Sequence, residues 1–117
     1  MKLKFELFLL ETNIALNRPT KQSSTYSNEI SYHAVDGNTD GVQGHGSCTH
    51  TENTNEAWWR VDLGSAKRVK RVVIYNRLGS FGSRLHNFDI HVGKYVQETF
   101  SIKPGVCGCF FLQTVVN

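Results

Sequence analysis

Arg77 and Arg84 bracket the stretch Leu-Gly-Ser-Phe-Gly-Ser. Two guanidiniums at the two ends of one glycine-bearing loop make a fork of hydrogen-bond donors, a chemistry suited to a ligand rich in oxygen acceptors. Upstream, Asp36, Asn38 and Asp40 alternate ahead of Gly41 and copy the first half of an EF-hand loop. The twelfth position is Ser47 rather than Glu, and no helical periodicity flanks the segment, so the spacing reads as an Asx-rich turn rather than an EF-hand. His45, Cys48 and His50 fit no standard zinc spacing, and no fourth ligand is evident. There is no convincing carboxylate pair, nucleophile–base pair or phosphate loop. The chemistry on offer is that of binding, not of an enzyme.

The elements that must position these groups read as short strands. In 58–63, Trp59, Val61 and Leu63 share one face and Arg60 and Asp62 the other, the period of a half-buried strand. Residues 72–75 are apolar on both faces, which predicts a strand covered on both sides. In 87–92, Phe88, Ile90 and Val92 alternate with Asp89 and His91, which predicts a further strand closed by Gly93. Residues 12–19 read as an opening strand with Ile14 and Leu16 on one face and Pro19 ending it. The serine-rich 22–26 reads as a loop or edge, and 32–38 as a strand end or short turn. Residues 36–55 carry almost no apolar side chain and predict a long surface loop. Beyond Lys94 the alternation decays, although 100–102 and 110–116 are apolar enough for strands. Residues 1–10 suit an amphipathic strand, one able to cover an exposed sheet edge. Glu6 and the lack of a small-residue cleavage site make them a poor signal peptide.

Composition agrees with one domain. The chain has 117 residues, of which 39% are hydrophobic and 20% charged, a balance that fits a globular domain and not a disordered one. Short apolar runs between turn signals favour an all-β sandwich. A net charge of +3 is too small and too scattered to predict a nucleic-acid partner. The basic run Lys67-Arg68-Val69-Lys70-Arg71 reads as a solvated turn and strand start. No stretch is long enough to span a membrane. Three cysteines, Cys48, Cys107 and Cys109, leave at least one thiol without a partner inside the chain. Cys48 could pair with either of the others, whereas a direct bridge between Cys107 and Cys109 would be strained.

Several runs together carry a resemblance. They are Asn13-Ile14-Ala15-Leu16, Gln22-Ser23-Ser24-Thr25-Tyr26, Ala34-Val35-Asp36-Gly37-Asn38, His45-Gly46-Ser47-Cys48-Thr49-His50-Thr51 and Trp58-Trp59-Arg60-Val61-Asp62-Leu63-Gly64. From about Asn13 to Gly93 the chain resembles an F-type lectin (fucolectin) domain. The His-Gly-Ser-Cys-Thr-His run with the double tryptophan is the specific part, because discoidin-type domains share the tryptophan-containing core. The resemblance implies a β-sandwich jelly roll of the galactose-binding-domain-like, discoidin-like kind. It also implies a non-catalytic module that binds terminal L-fucose on glycans, with Ca2+ bound nearby. The family's closing C-terminal strand is not recognisable after residue 93.

The family's sugar motif is a His, 26 residues, an Arg, one residue, an Asp, four residues and a basic residue. Here it falls on His50, Arg77 and Arg84. Two departures stand out. Gly79 occupies the place of the Asp, so the carboxylate that would brace the arginines is missing. Ser80-Phe81 replaces the adjacent cysteines that form a ledge beneath the sugar, and Phe81 is expected to supply an apolar ledge instead. Gln43-Gly44 stand where the family carries aromatics for the fucose methyl. For calcium the resemblance implies Asp36, Asn38, Ser47 and the His33 carbonyl as ligands, without the late Cys-Glu pair that completes the family site. It also implies a bridge from Cys48 to a cysteine near the C-terminus and an extracellular location. A single such site binds weakly, so useful avidity for fucosylated glycans would need several sites, as in a homo-oligomer. The competing reading is a discoidin-like adhesion or structural module that has lost sugar binding.

Overall fold

The structure is a computed structural model. It describes residues 12–52, 56–69, 71–93, 100–103 and 107–108, the last two segments as backbone. Among these residues six short strands form two antiparallel sheets: β1 Thr20–Gln22, β2 Thr49–His50, β3 Trp59–Val61, β4 Asp89–Ile90, β5 Phe100–Lys103 and β6 Cys107–Gly108. The larger sheet has the order β1-β3-β5-β4, and β2 pairs with β6. Two 3-10 turns, Ser31–Ala34 and Gly82–Arg84, complete the regular structure, and the described residues contain no α-helix. No helix among them is long and apolar enough to cross a membrane.

β3 is the strand that the alternation of 58–63 predicted. Trp59 and Val61 are buried and Arg60 lies between them, half-buried. Trp59 packs with Ala15, Ala34, Val35 and Val61 at the centre of the core. Its indole Nε1 donates to the Ser31 carbonyl at 2.9 Å, so the one polar atom of the ring is satisfied where it is buried. Gln22 closes β1 at the sheet edge, opposite Trp59. The basic residues Lys67, Arg68 and Arg71 are exposed, as a solvated run should be.

Other expectations are corrected. Residues 14–17 form turns, not a strand. The Asn13 side chain accepts from the Ala15 amide at 3.0 Å, and Asn17 sits at φ 56°. A local Asx bond thus outcompetes the ladder, Ala15 rather than Leu16 is buried, and Leu16 is exposed. Residues 72–75 belong to no strand of either sheet. Val72 and Ile74 pack on the core, Val73 is half-buried and Tyr75 is exposed, so neither side of the segment is fully covered. In 87–92 only Asp89–Ile90 pairs, against β5. Phe88 reaches the core, but Ile90, on β4 at the end of the strand order, and Val92 beyond it are exposed.

The late segment is not lost from the fold. β5 lies inside the larger sheet between β3 and β4, and β6 supports β2. The strands expected at 1–10 and 110–116 lie outside the described residues. The expected surface loop 36–55 is only half right. Residues 36–46 form neither strand nor helix and only Gly41 among them is buried, but Ser47, Cys48, Thr49, His50 and Thr51 are all buried. Polar side chains can be buried when paired. Thr49 Oγ1 donates to Gln22 Oε1 at 2.6 Å, and the Cys48 carbonyl binds the His33 ring at 2.8 Å.

Candidate functional site

His50 stands at the end of β2, 7% exposed, on a backbone fixed from two sides. Its amide donates to the Glu29 carbonyl at 3.0 Å, and its carbonyl accepts from the Tyr26 amide at 2.9 Å. The Gln22 side chain organises the same corner. Its Nε2 donates to Thr25 Oγ1 at 2.8 Å and to the Glu29 carbonyl at 3.1 Å. The imidazole Nδ1 contacts the Thr51 carbonyl. A carbonyl only accepts, so Nδ1 carries a proton and, in the neutral ring, Nε2 is the acceptor nitrogen. The Tyr26 ring lies 4.8 Å from the imidazole, centroid to centroid.

The arginine loop is built differently. The Asn76 side chain holds both of its ends, donating from Nδ2 to the Gly82 carbonyl and accepting from the Arg77 amide, each at 2.7 Å. Gly79, at φ 89°, turns the chain where a side chain would be strained. The Gly82 amide then bonds the Gly79 carbonyl at 3.2 Å, which starts the 3-10 turn that carries Arg84. The loop is moored to the Asx segment by Leu78 N donating to the Gly41 carbonyl at 2.9 Å. A Cβ on Gly41 would lie 2.8 Å from Leu78 Cγ and 2.9 Å from the Asn76 carbonyl, so this close approach requires glycine.

His50, Arg77, Phe81 and Arg84, separate in the sequence, therefore line one cleft of about 540 Å³ together with Tyr26, Gln43 and Glu52. This is the size of a small-ligand site. Both guanidiniums lie against the Phe81 ring, Arg77 at 4.8 Å and Arg84 at 4.3 Å from its centroid. Donors, an acceptor nitrogen and an aromatic surface around one opening are the equipment for a polyhydroxylated ligand.

Comparison with known proteins decides the family. The profile of the NedA-like, galactose-binding domain family matches residues 33–103. A fucose-binding module of Streptococcus pneumoniae is 30% identical, with a TM-score of 0.77 over 92% of this chain and 96% of that one. The chain belongs to the F-type lectin family. Fucolectin-3 of Anguilla japonica is 37% identical over 94 residues, which cover 76% of this chain and 52% of the eel protein. The chain thus spans about half the length of that relative. The serum fucolectin of striped bass, Morone saxatilis, is 29% identical with a TM-score of 0.70, over 92% of this chain and 39% of that one. The lectins of this family bind carbohydrate and are not enzymes.

In this chain the residues expected to hold a metal serve the loop's own backbone. Asp36 Oδ1 accepts from the Asn38 amide at 2.8 Å, Asn38 Oδ1 from the Asp40 amide at 3.0 Å, and Asp40 Oδ1 from the Val42 amide at 2.9 Å. Ser47 Oγ donates to the Asp40 carbonyl. The second Asp40 oxygen pairs with His45 Nδ1 at 2.7 Å. The Val42 amide first, and the His45 contact second, hold the Asp40 carboxyl below its ordinary value of 3.8. Among the described residues no three His, Cys, Asp or Glu side chains gather to hold a metal ion. The His45, Cys48 and His50 trio does not form a zinc site, since Cys48 is disulfide-bonded and His45 is turned to Asp40. Tyr26 and Glu52 in the cleft, and Gln22 and Asn76, which fix the backbone around it, were not singled out as site residues from sequence. For Asn76 a signal existed: an Asx residue just before a glycine-bearing loop caps its own backbone.

Proposed function

We propose that this chain is a carbohydrate-binding module that recognises terminal L-fucose on glycans. The observation that carries the reading is the convergence of His50, Arg77 and Arg84 on one cleft. The two guanidiniums donate to ring and hydroxyl oxygens of the sugar, and the imidazole adds a directed hydrogen bond to a sugar hydroxyl. Hydrogen bonds to charged groups contribute roughly 1.5–3 kcal/mol each, and association and desolvation remove much of it. One site then binds in roughly the micromolar to millimolar range. Several sites in a homo-oligomer would raise avidity on a fucosylated surface, which suits an extracellular, disulfide-tied module.

Calcium belongs to this proposal as a structural ligand. Asp36, Asn38, Ser47 and the His33 carbonyl are all-oxygen donors within fifteen residues, which fits a hard cation. The ion would stiffen the segment that moors the arginine loop.

Retention on immobilised L-fucose, with release by free L-fucose, tests the reading, and His50→Ala should abolish retention. Calorimetry repeated with a chelator reads the calcium part separately. A folded protein that passes through the column unretained would leave the discoidin-like alternative.

A further inference from the structure

We infer that Phe81 is a positioning residue: its ring holds the Arg77 and Arg84 guanidiniums in place, doing the bracing for which this loop has no carboxylate. Both cations lie within 4.8 Å of one ring centroid. The negative face of an aromatic ring attracts cations, and it offsets the repulsion between two like charges gathered at one place. Arg77 is the dependent partner. Its Nε is buried without a hydrogen-bond partner, and it makes no ion pair among the described residues. Residues 76–84 contain no Asp or Glu that could pair with it. The orientation of the Arg77 head therefore rests on the ring. The ring itself is held by its backbone: the Arg84 amide donates to the Phe81 carbonyl at 3.1 Å, so Phe81 and Arg84 belong to one tight turn.

This goes beyond a ledge under the sugar. A ledge acts only when ligand arrives, whereas a brace orders the arginines beforehand. The inference about affinity rests on the proposed sugar site; the inference about arginine order does not. Phe81 is 45% exposed, so replacement leaves the core intact. Phe81→Leu keeps an apolar surface but removes the π face, and Phe81→Tyr keeps both. The first measurement is the order parameter of the Arg77 Nε–Hε group by NMR in the ligand-free protein. It should fall in Phe81→Leu and stay at the wild-type value in Phe81→Tyr. The second is L-fucose affinity, expected to weaken about tenfold in Phe81→Leu and less than twofold in Phe81→Tyr. Unchanged arginine order in Phe81→Leu overturns the inference, whatever the sugar result. Wild-type protein that ignores L-fucose overturns the proposed function alone, because the order parameters still decide the brace.

Discussion

Asn76 is the point at which the binding loop can be opened without touching the groups that meet ligand. Asn76→Ala removes two contacts of 2.7 Å, one to each end of the loop. Both lie at the surface, so their net contribution sits toward the low side of the usual range, about 1–2 kcal/mol for the pair. The remaining ties are backbone: the Gly82–Gly79, Arg84–Phe81 and Leu85–Gly82 bonds inside the loop and the Leu78–Gly41 bond to its neighbour. If the clamp decides whether the loop is closed, the competent fraction falls and the apparent Kd rises in proportion. A loss of that size corresponds to roughly 5–30-fold weaker L-fucose binding by calorimetry. The melting temperature should hardly move, since the loop packs little apolar surface. Asn76→Asp sharpens the test. It still accepts from the Arg77 amide but sets an acceptor against the Gly82 carbonyl, so it should bind no better than Asn76→Ala despite its charge near two arginines. Binding by Asn76→Ala within twofold of wild type would show that the backbone ties suffice and that the clamp is ornamental.

Two other expectations follow from the same hydrogen-bond accounting. Gln22→Leu strands the fully buried Thr49 hydroxyl and should cost about 1–3 kcal/mol, a fall in Tm of roughly 5–15 °C by scanning calorimetry. The double variant with Thr49→Val should recover part of it, and no recovery would refute the pairing as the cause. The Asp40 carboxyl, held down by the Val42 amide and then by His45, should titrate below 3.8 in a carbon-detected NMR titration. A depressed folded value means that the stabilisation is present above the unfolded value and is lost as pH falls through the folded one. His45→Ala should move the titration part-way back up, and a wild-type midpoint at or above 3.8 would contradict the assignment.

What could be read from the sequence depended on which force buries each segment. Trp59 and Val61 are buried for their apolar surface, so a period of two was enough to find β3. Ser47 to Thr51 are buried through side-chain and backbone hydrogen bonds, to which hydropathy is blind, and the segment was read as surface. In 87–92 the alternation marked a strand correctly, but alternation does not say whether a face meets a partner layer. Ile90 sits on the outermost strand and stays exposed. The arginine loop was legible as a donor fork from two residues and their spacing. Its meeting with His50 was not, because the convergence depends on non-local contacts. Only the resemblance to a lectin motif linked the three.

The two halves of the cleft consequently rest on different foundations. His50 is part of a buried strand whose backbone bonds run to Glu29 and Tyr26, with Gln22 behind it. To displace it, a perturbation must break structure that also stabilises the domain. Arg77 and Arg84 stand on an exposed turn held by one asparagine, one aromatic ring and a few backbone bonds. That turn can open locally at a small fraction of the global unfolding free energy. Substitutions behind His50 should therefore lower Tm and affinity together, whereas those on the arginine loop should lower affinity alone. A loop substitution such as Asn76→Ala that lowered Tm as much as Gln22→Leu would mean that the loop is part of the cooperative core. In that case the division of labour argued from these contacts would fail.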